Sequence, residues 1–307
     1  MFQKTIAKTA DCSGVGLHSG KQVRVEFHPA PANTGVVFAV RDGGSIRFVH
    51  PTPRSVVDTN FATTIECDGI RICTVEHLLA AVRGLDIDNL VVQVHGAEIP
   101  IMDGSAGTYV DLFQDCGIKE QNRSKKVYAM TRPVEFSIDG CWIKARPSRG
   151  FSVQYCIDFP HPSVGRQQYV YHSGKENFVR SIARARTFGF VRDVERMHER
   201  GLILGGSLDN ALVLDENGVV NEEGMRYPDE PVRHKILDFI GDLGLMKYPL
   251  WADFEVHRSG HQLNNLFLRF VAKNGKRFLE TIKLDEKSQP TRDVQPAPVF
   301  SAQAWAG

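Results

Sequence analysis

Three features that would each indicate a class of protein are absent from this sequence of 307 residues. None of its six cysteines belongs to a Cys-X-X-Cys pair, so we expect free, mostly buried thiols rather than a thiolate zinc site or a disulfide framework. No run approaches the roughly 18 apolar residues that span a bilayer. The first residues carry no apolar signal-peptide core. We therefore expect a cytoplasmic protein without stable membrane insertion.

An excess of charge is absent as well. The 37 lysines and arginines nearly balance 36 aspartates and glutamates, for a net charge of +1, which argues against broad electrostatic binding of nucleic acid. The hydrophobic content of 42% is ordinary for a globular protein, and the length allows one large or two medium domains. Any bound metal should use harder ligands than sulfur.

The first part of the chain has the pattern of strands interspersed with helices. Alternating or continuous apolar residues predict strands at residues 23–28, 35–40 and 89–94. Helical spacing predicts helices over residues 74–85, with Thr74 as the N-cap, and over residues 109–116.

The pattern restarts after residues 119–126, which are polar and without apolar periodicity and which we interpret as a linker. Beyond them we predict strands at 134–138, 141–143 and 151–157, and helices at 177–185, 231–243 and 262–271. This order favours an α+β fold. We expect an N-terminal domain over residues 1–120, a C-terminal domain over residues 127–285, and a disordered tail over residues 286–307.

One predicted helix combines a core-facing stripe with metal-binding residue types. His234 and Asp238 stand at i and i+4, so their side chains lie on the same face, one turn apart. The complementary face carries the apolar residues Val232, Ile236, Phe239, Ile240 and Leu243. The pair is either a weak surface His–Asp contact or half of a metal site.

A third metal ligand is available from the helix predicted at residues 74–85. His77 with His234 and Asp238 makes a set of two histidines and one aspartate, and a hydrolytic zinc needs three protein ligands plus an open position. Glu76 is then an adjacent general base. Alternatively, Glu76 complements the helix macrodipole and His77 is an ordinary, partly buried histidine.

His261 follows a glycine at the expected start of another helix. It is either a capping or surface residue, or a general acid that Asp242 orients. Asp242, near the end of its own helix, is equally consistent with a C-terminal surface charge.

Two further segments carry candidate substrate-binding residues. In residues 184–190, a helix end that leads into a strand, the Thr187 hydroxyl is suited to bind an oxyanion and the Phe188 ring to pack on a sugar. Residues 201–207 are apolar and glycine-rich but lack the ending of a phosphate-binding P-loop. They form either a buried hairpin or the lining of an apolar site.

Taken together and in order, six segments resemble the UDP-3-O-acyl-N-acetylglucosamine deacetylases, the zinc enzymes of bacterial lipid A synthesis. They are residues 14–20 (GVGLHSG), 74–81 (TVEHLLAA), 101–105 (IMDGS), 186–190 (RTFGF), 234–242 (HKILDFIGD) and 259–265 (SGHQLNN). The resemblance covers roughly residues 1–285. It implies two similar layered α/β sandwich domains, packed helix face to helix face, with small inserts.

The resemblance also implies a role for each matching residue. His77, His234 and Asp238 match the zinc ligands, and Glu76 matches the general base. His261, with Asp242 as its partner, matches the histidine that protonates the leaving amine or stabilises the oxyanion, and Thr187 matches a hydroxyl that binds the tetrahedral intermediate. Lys235 matches a cation near the diphosphate, and Phe188 an aromatic residue against the glucosamine. Segments that form the acyl passage in the family contain Leu17, Val194, Leu202 and Ile203.

The implied activity is release of acetate from UDP-3-O-(3-hydroxyacyl)-N-acetylglucosamine by a cytoplasmic enzyme, which we expect to be a monomer. Two alternatives stay open, namely a zinc amidase of another acylated substrate and a non-enzymatic binder of nucleotide sugars. The sequence also does not decide whether Glu76 or His261 protonates the amine, or whether zinc or iron is bound in the cell.

Overall fold

The computed structural model of the protein describes residues 1–284 and 299–301 and has the expected α+β fold. The elements of the first half are β1 (Phe2–Ile6), β2 (Ala10–Val15), β3 (Gln22–Pro29), β4 (Val36–Asp42), β5 (Ser45–Val49), β6 (Val56–Asp58), β7 (Thr64–Cys67), β8 (Ile70–Ile72), α1 (Glu76–Gly84), β9 (Leu90–His95) and α2 (Gly107–Asp115). Those that follow are β10 (Ile118–Ser124), β11 (Lys126–Met130), β12 (Val134–Ile138), β13 (Cys141–Arg146), β14 (Phe151–Asp158), β15 (Arg166–His172), α3 (Lys175–Ser181), β16 (Phe188–Phe190), α4 (Val191–Glu199), β17 (Leu212–Asp215), β18 (Gly218–Val219), α5 (Glu230–Leu243), β19 (Leu250–His257), α6 (His261–Lys273), α7 (Gly275–Phe278), β20 (Leu279–Lys283) and β21 (Val299–Ser301).

The first half is built on a five-stranded sheet in the order β2-β3-β9-β4-β5. The alternation predicted in β3 is confirmed, because Val23, Val25 and Phe27 are buried while the residues between them are more exposed. Phe27 lies edge-on to Phe113 of α2, with ring centroids 5.0 Å apart. The sheet and α2 therefore share one core.

The second half repeats the layered arrangement on an eight-stranded sheet. Its main path is β15-β14-β19-β13-β12-β21, and β11 and β20 continue from β19. Phe254 of β19 contacts Phe239 of α5 and Phe267 of α6, at centroid distances of 5.2 and 6.1 Å, so both helices cover one face of this sheet.

Helix α1 of the first half packs directly on α5 of the second, which confirms the expected contact of helix faces. The approach is very close at Gly241, where a Cβ atom would overlap the backbone carbonyl of Glu76. Because any side chain at this position would push the helices apart, glycine is required there. The two halves thus meet at the level of Glu76 and its neighbour His77.

Two local expectations were wrong. The interpreted linker is instead β10, which pairs with β1, and its polar side chains gave no apolar alternation to detect. Thr74 does not cap α1, since Val75 occupies the N-cap position. Thr74 has a φ of +60° and donates its hydroxyl hydrogen bond to Glu98 over 3.2 Å. Such a φ is unfavourable for a β-branched residue.

The structure bears in part on two further expectations, which concern the cysteines and the C-terminal segment. All six cysteines are free, but only Cys116 and Cys156 are buried. Within the segment expected to be a disordered tail, β21 pairs in parallel with β12, and residues 286–298 and 302–307 lie outside the described residues. No helix in the described part of the chain is both long and apolar enough to cross a membrane.

Candidate metal and catalytic site

The α1–α5 contact brings three potential metal ligands together. His77 lies in the first turn of α1, and His234 and Asp238 lie one turn apart on α5. Their ligand atoms all lie within 4.8 Å of one another. Asp238 Oδ1 is 3.6 Å from His77 Nε2 and 3.2 Å from His234 Nε2. The structure thus assembles the predicted set of two histidines and one carboxylate.

The polar atoms of this cluster fit a bound cation. Asp238 Oδ1 is buried and has no hydrogen-bond partner among the described residues, although a buried polar atom normally has one. His234 Nδ1 is 3.0 Å from the carbonyl oxygen of Ala185. That carbonyl can only accept a hydrogen bond, so the proton is on Nδ1 and the Nε2 lone pair is free for a metal. Two imidazoles and a carboxylate are a usual ligand set for catalytic zinc.

Lys235 holds the other oxygen of the same carboxylate. Its Nζ donates to Asp238 Oδ2 over 2.9 Å and lies 5.8 Å from the centre of the Phe188 ring. Burial alone would raise the pKa of Asp238, but the interactions with the neighbouring His234 and with the Lys235 ammonium hold that pKa well below its usual value. The carboxylate is therefore charged, with Oδ1 directed between the two histidines.

Glu76 is buried beside the cluster, with an exposed fraction of 2%. Its Oε2 accepts a hydrogen bond of 3.0 Å from the backbone N–H of Thr63. Burial raises the pKa of Glu76, and the charges of His261 and His77 oppose this only in part. A carboxylate with a raised pKa is a better base near neutral pH, which suits proton transfer at this position.

His261 and Asp242 form a second buried pair. His261 is the first residue of α6, and its Nδ1 is 2.9 Å from Asp242 Oδ2. Burial alone would lower the pKa of His261, but the charge and hydrogen bond of Asp242 outweigh it and raise this pKa to about 9. The surface-charge interpretation of Asp242 was wrong, because the residue lies inside α5 with an exposed fraction of 1%.

A cavity of about 330 Å³ opens beside these groups. Most of the residues predicted for the site line it, namely Leu17, Glu76, His77, Thr187, Phe188, Val194, Ile203, His234, Lys235, Asp238 and His261. Asp242 lies behind His261, and Leu202 is not part of the lining. Residues that the sequence did not single out complete the wall, among them Phe61, Phe190, Met197, Leu208 and Val213.

The segment at residues 201–207 contributes to the cavity wall and does not form a hairpin. It contains no strand, and its Ile203, Gly206 and Ser207 line the cavity. The backbone N–H of Gly205 donates to the carbonyl of Leu17 over 3.0 Å, so this segment is attached to the loop before β3. Of the two interpretations, lining of an apolar site is the one that the structure supports.

Comparisons with known proteins identify the family of the chain. The model of the LpxC family, described as UDP-3-O-acyl N-acetylglycosamine deacetylase, matches residues 3–273. The chain belongs to this family. A relative from Oleidesulfovibrio alaskensis, named UDP-3-O-acyl-N-acetylglucosamine deacetylase, is 51% identical over 97% of this chain and 98% of its own length. Relatives of the same name from Nitratidesulfovibrio vulgaris and Haemophilus influenzae are 50% and 44% identical, each over 97% of this chain and over 96% and 99% of their own lengths.

Two further residues, Arg186 and Thr63, hold segments of the site in place, and neither was singled out from the sequence. Arg186 is buried, and its backbone N–H and Nε both donate to Glu230 Oε1 over 2.9 Å, which fixes the chain between Ala185 and Thr187. Thr63 donates from its backbone N–H to Glu76 Oε2 and from its hydroxyl to Asp242 Oδ1. Arg186 lies in one of the segments that carry the family resemblance, but neither it nor Thr63 was assigned a role from the sequence, because their contacts are made only in the tertiary structure.

Proposed function

We propose that this protein is a cytoplasmic, zinc-dependent deacetylase that removes the N-acetyl group of UDP-3-O-(3-hydroxyacyl)-N-acetylglucosamine, as a step of lipid A biosynthesis. The observation that carries the proposal is the buried cluster of His77, His234 and Asp238. The Oδ1 atom of Asp238 has no hydrogen-bond partner among the described residues. The cluster lies in the wall of a cavity that Glu76 and His261 also line. The names of the relatives supply the substrate and the reaction.

The metal would be held by one ligand from α1 and two from α5. When bound there, zinc acts as a Lewis acid and lowers the pKa of water from about 15.7 to about 7. Lys235 keeps Asp238 oriented and charged, and Ala185 fixes the tautomer of His234. These contacts keep the ligand atoms turned towards one another.

Glu76 serves as the general base in this proposal. Its Oε2 is held by the Thr63 amide, which leaves Oε1 to take a proton from the attacking water. The Thr187 hydroxyl, in the cavity wall, donates to the oxyanion that develops on the acetyl carbonyl.

His261 protonates the leaving amine. Asp242 and Thr63 lie on the Nδ1 side of the ring, so Nε2 is the nitrogen available to the substrate, and it lies 4.0 Å from Asp238 Oδ2. His261 also lines the cavity. Because His261 acts as the acid, Glu76 can keep the proton that it takes from water. Proton removal from water and proton donation to the amine are then carried out by two different residues.

The cavity wall suggests how the substrate lies. The Phe188 ring packs on the glucosamine, and Lys235, which has N–H donors beyond the one given to Asp238, binds the diphosphate. The apolar side chains of Leu17, Val194 and Ile203 contact the acyl chain.

The test is acetate release from the UDP-linked acylated sugar by the purified protein, with and without a chelator. We expect release that the chelator abolishes and that added zinc restores, with about one catalytic zinc per chain. Full activity in a metal-free preparation would contradict the zinc mechanism. Equally efficient release of acetate from other N-acetylated compounds would contradict the proposed substrate.

A further inference from the structure

Thr63 occupies a junction between the catalytic elements. It immediately precedes β7, and its exposed fraction is only 1%. Its carbonyl accepts a hydrogen bond of 3.3 Å from the amide of Val75, the N-cap residue of α1. Position 63 is therefore fixed to the start of the helix that carries Glu76 and His77.

Two donors of Thr63 are directed to different carboxylates. Its backbone N–H donates to Glu76 Oε2 over 3.0 Å, and its hydroxyl donates to Asp242 Oδ1 over 2.6 Å. The second bond is short, in the range of charge-assisted O–H···O hydrogen bonds. One residue thus contacts the carboxylate of each proton-handling group.

The hydroxyl oxygen also faces His261, 3.2 Å from Nδ1. A hydroxyl has one proton, and here Asp242 Oδ1 receives it, so towards His261 the oxygen can only accept. The Nδ1 proton of His261 is then shared between Asp242 Oδ2, at 2.9 Å, and the Thr63 oxygen. This arrangement fixes both the tautomer and the plane of the ring.

We propose that Thr63 is a positioning residue for the deacetylation reaction, whose hydroxyl holds Asp242 and His261 in the geometry that presents His261 Nε2 to the substrate. This inference rests on the proposed function. Asp242 Oδ2 already accepts from His261 and from Asn264 Nδ2, the latter at 2.8 Å, whereas Thr63 serves Oδ1. Without the Thr63 hydroxyl, the carboxylate can rotate and a buried oxygen loses its donor.

The kinetic test compares Thr63→Val, which keeps the shape of the side chain and removes the hydroxyl, with Thr63→Ser, which keeps the hydroxyl. We expect kcat of Thr63→Val to fall about 10- to 100-fold, as is typical when a residue that orients a catalytic group is lost. KM and zinc content should stay near the wild-type values, because both variants keep the backbone bond to Glu76. Thr63→Ser should recover most of the lost kcat.

Thr64→Val is the matched control, because it is the same substitution at the next residue. Thr64 is also buried, but among the described residues its hydroxyl makes no hydrogen bond to Glu76, Asp242 or His261. This variant should keep the wild-type kcat. Equal losses in Thr63→Val and Thr64→Val, or no rescue by serine, would overturn the inference in favour of a packing role.

A spectroscopic measurement tests the same geometry without relying on activity. In wild-type protein labelled with ¹⁵N-histidine, the Nδ1 proton of His261 should give a slowly exchanging signal with a nuclear Overhauser contact to the Thr63 side chain. The signal should shift in Thr63→Val and remain in Thr64→Val. Absence of the contact in the wild type would refute the positioning role even if Thr63→Val did not fold. Failure of the wild type to release acetate would instead refute the proposed function.

Discussion

The two sides of the cavity are built differently. On one side, α1 and α5 meet at Gly241 with no room for a side chain, and the groups that they present are buried. On the other side, α4 has no buried residue, and Leu204 in the following loop is 53% exposed. The reacting groups thus lie on a closely packed pair of helices, whereas part of the apolar wall lies on α4, which buries none of its own side chains. We infer that the first side sets the chemistry and the second sets the choice of acyl chain.

Glu76→Ala should give the largest effect. Removing the base should lower kcat by about 10²- to 10⁴-fold, while zinc content stays near one per chain because the three metal ligands remain. Acetate release and metal analysis on the same preparation provide the measurement. Near-normal turnover of Glu76→Ala would show that Glu76 is not the general base. Glu76→Gln, which keeps the shape of the side chain, controls for repacking.

Gly241→Ala should disturb the helix pair itself. The added Cβ would overlap the Glu76 carbonyl, so we expect a loss of about 1–3 kcal/mol in the free energy of unfolding, measured by urea denaturation. Gly189→Ala is the matched control on the other side of the cavity, since nothing lies near its added methyl group. Its cost should stay within about 0.5 kcal/mol. Similar costs for both variants would remove the contrast between the two sides.

Lys235→Ala should act mainly on substrate binding. Loss of a charge-assisted bond to the diphosphate should raise KM about tenfold or more. Lys247→Ala, at an exposed lysine just beyond α5, should leave KM unchanged. An unaltered KM in Lys235→Ala would show that Lys235 does not bind the diphosphate and that its role is the contact with Asp238.

Val194→Ala should have the smallest effect, and one that depends on the substrate. The residue lines the cavity from α4 and is only partly buried, so stability should change little. Loss of its apolar contact should lower kcat/KM about fivefold for a long acyl chain, and leave short-chain substrates unaffected. Leu202→Ala, outside the lining, should show no dependence on chain length. An equal loss of kcat/KM for all acyl-chain lengths would show that Val194 affects the reaction step and does not select the acyl chain.

The sequence predicted the parts of the molecule that follow a simple periodicity. The stripe of α5, the stripe of α6 and the alternation of β3 are all confirmed. Strand β3 and helix α6 each bury one face, whereas α5, which packs against α1 as well as the sheet, is buried on nearly all sides. Strand β10 was not predicted, because it pairs through its backbone with polar side chains on both faces. Helix α4 was not predicted either, although Val191, Val194 and Met197 stand at helical spacing. A strand such as β10, which has no buried face, leaves no apolar alternation in the sequence.

The same limit applies to the site. Residue type and spacing identified His77, His234 and Asp238 as a possible metal set, and the family resemblance added Lys235. Burial of Asp242, and the contact between Thr63 and two carboxylates, depend on segments that are far apart in the chain. No local pattern encodes such contacts, so they required the tertiary structure.

The division of the metal ligands between α1 and α5 has a thermodynamic consequence. Neither half of the chain carries all three, so a cation that binds at this position binds only the associated halves, with an added stability that depends on its concentration and affinity. Metal occupancy and docking of the halves are linked equilibria. Chelation should therefore lower the free energy of unfolding of the associated halves, and added metal should restore it.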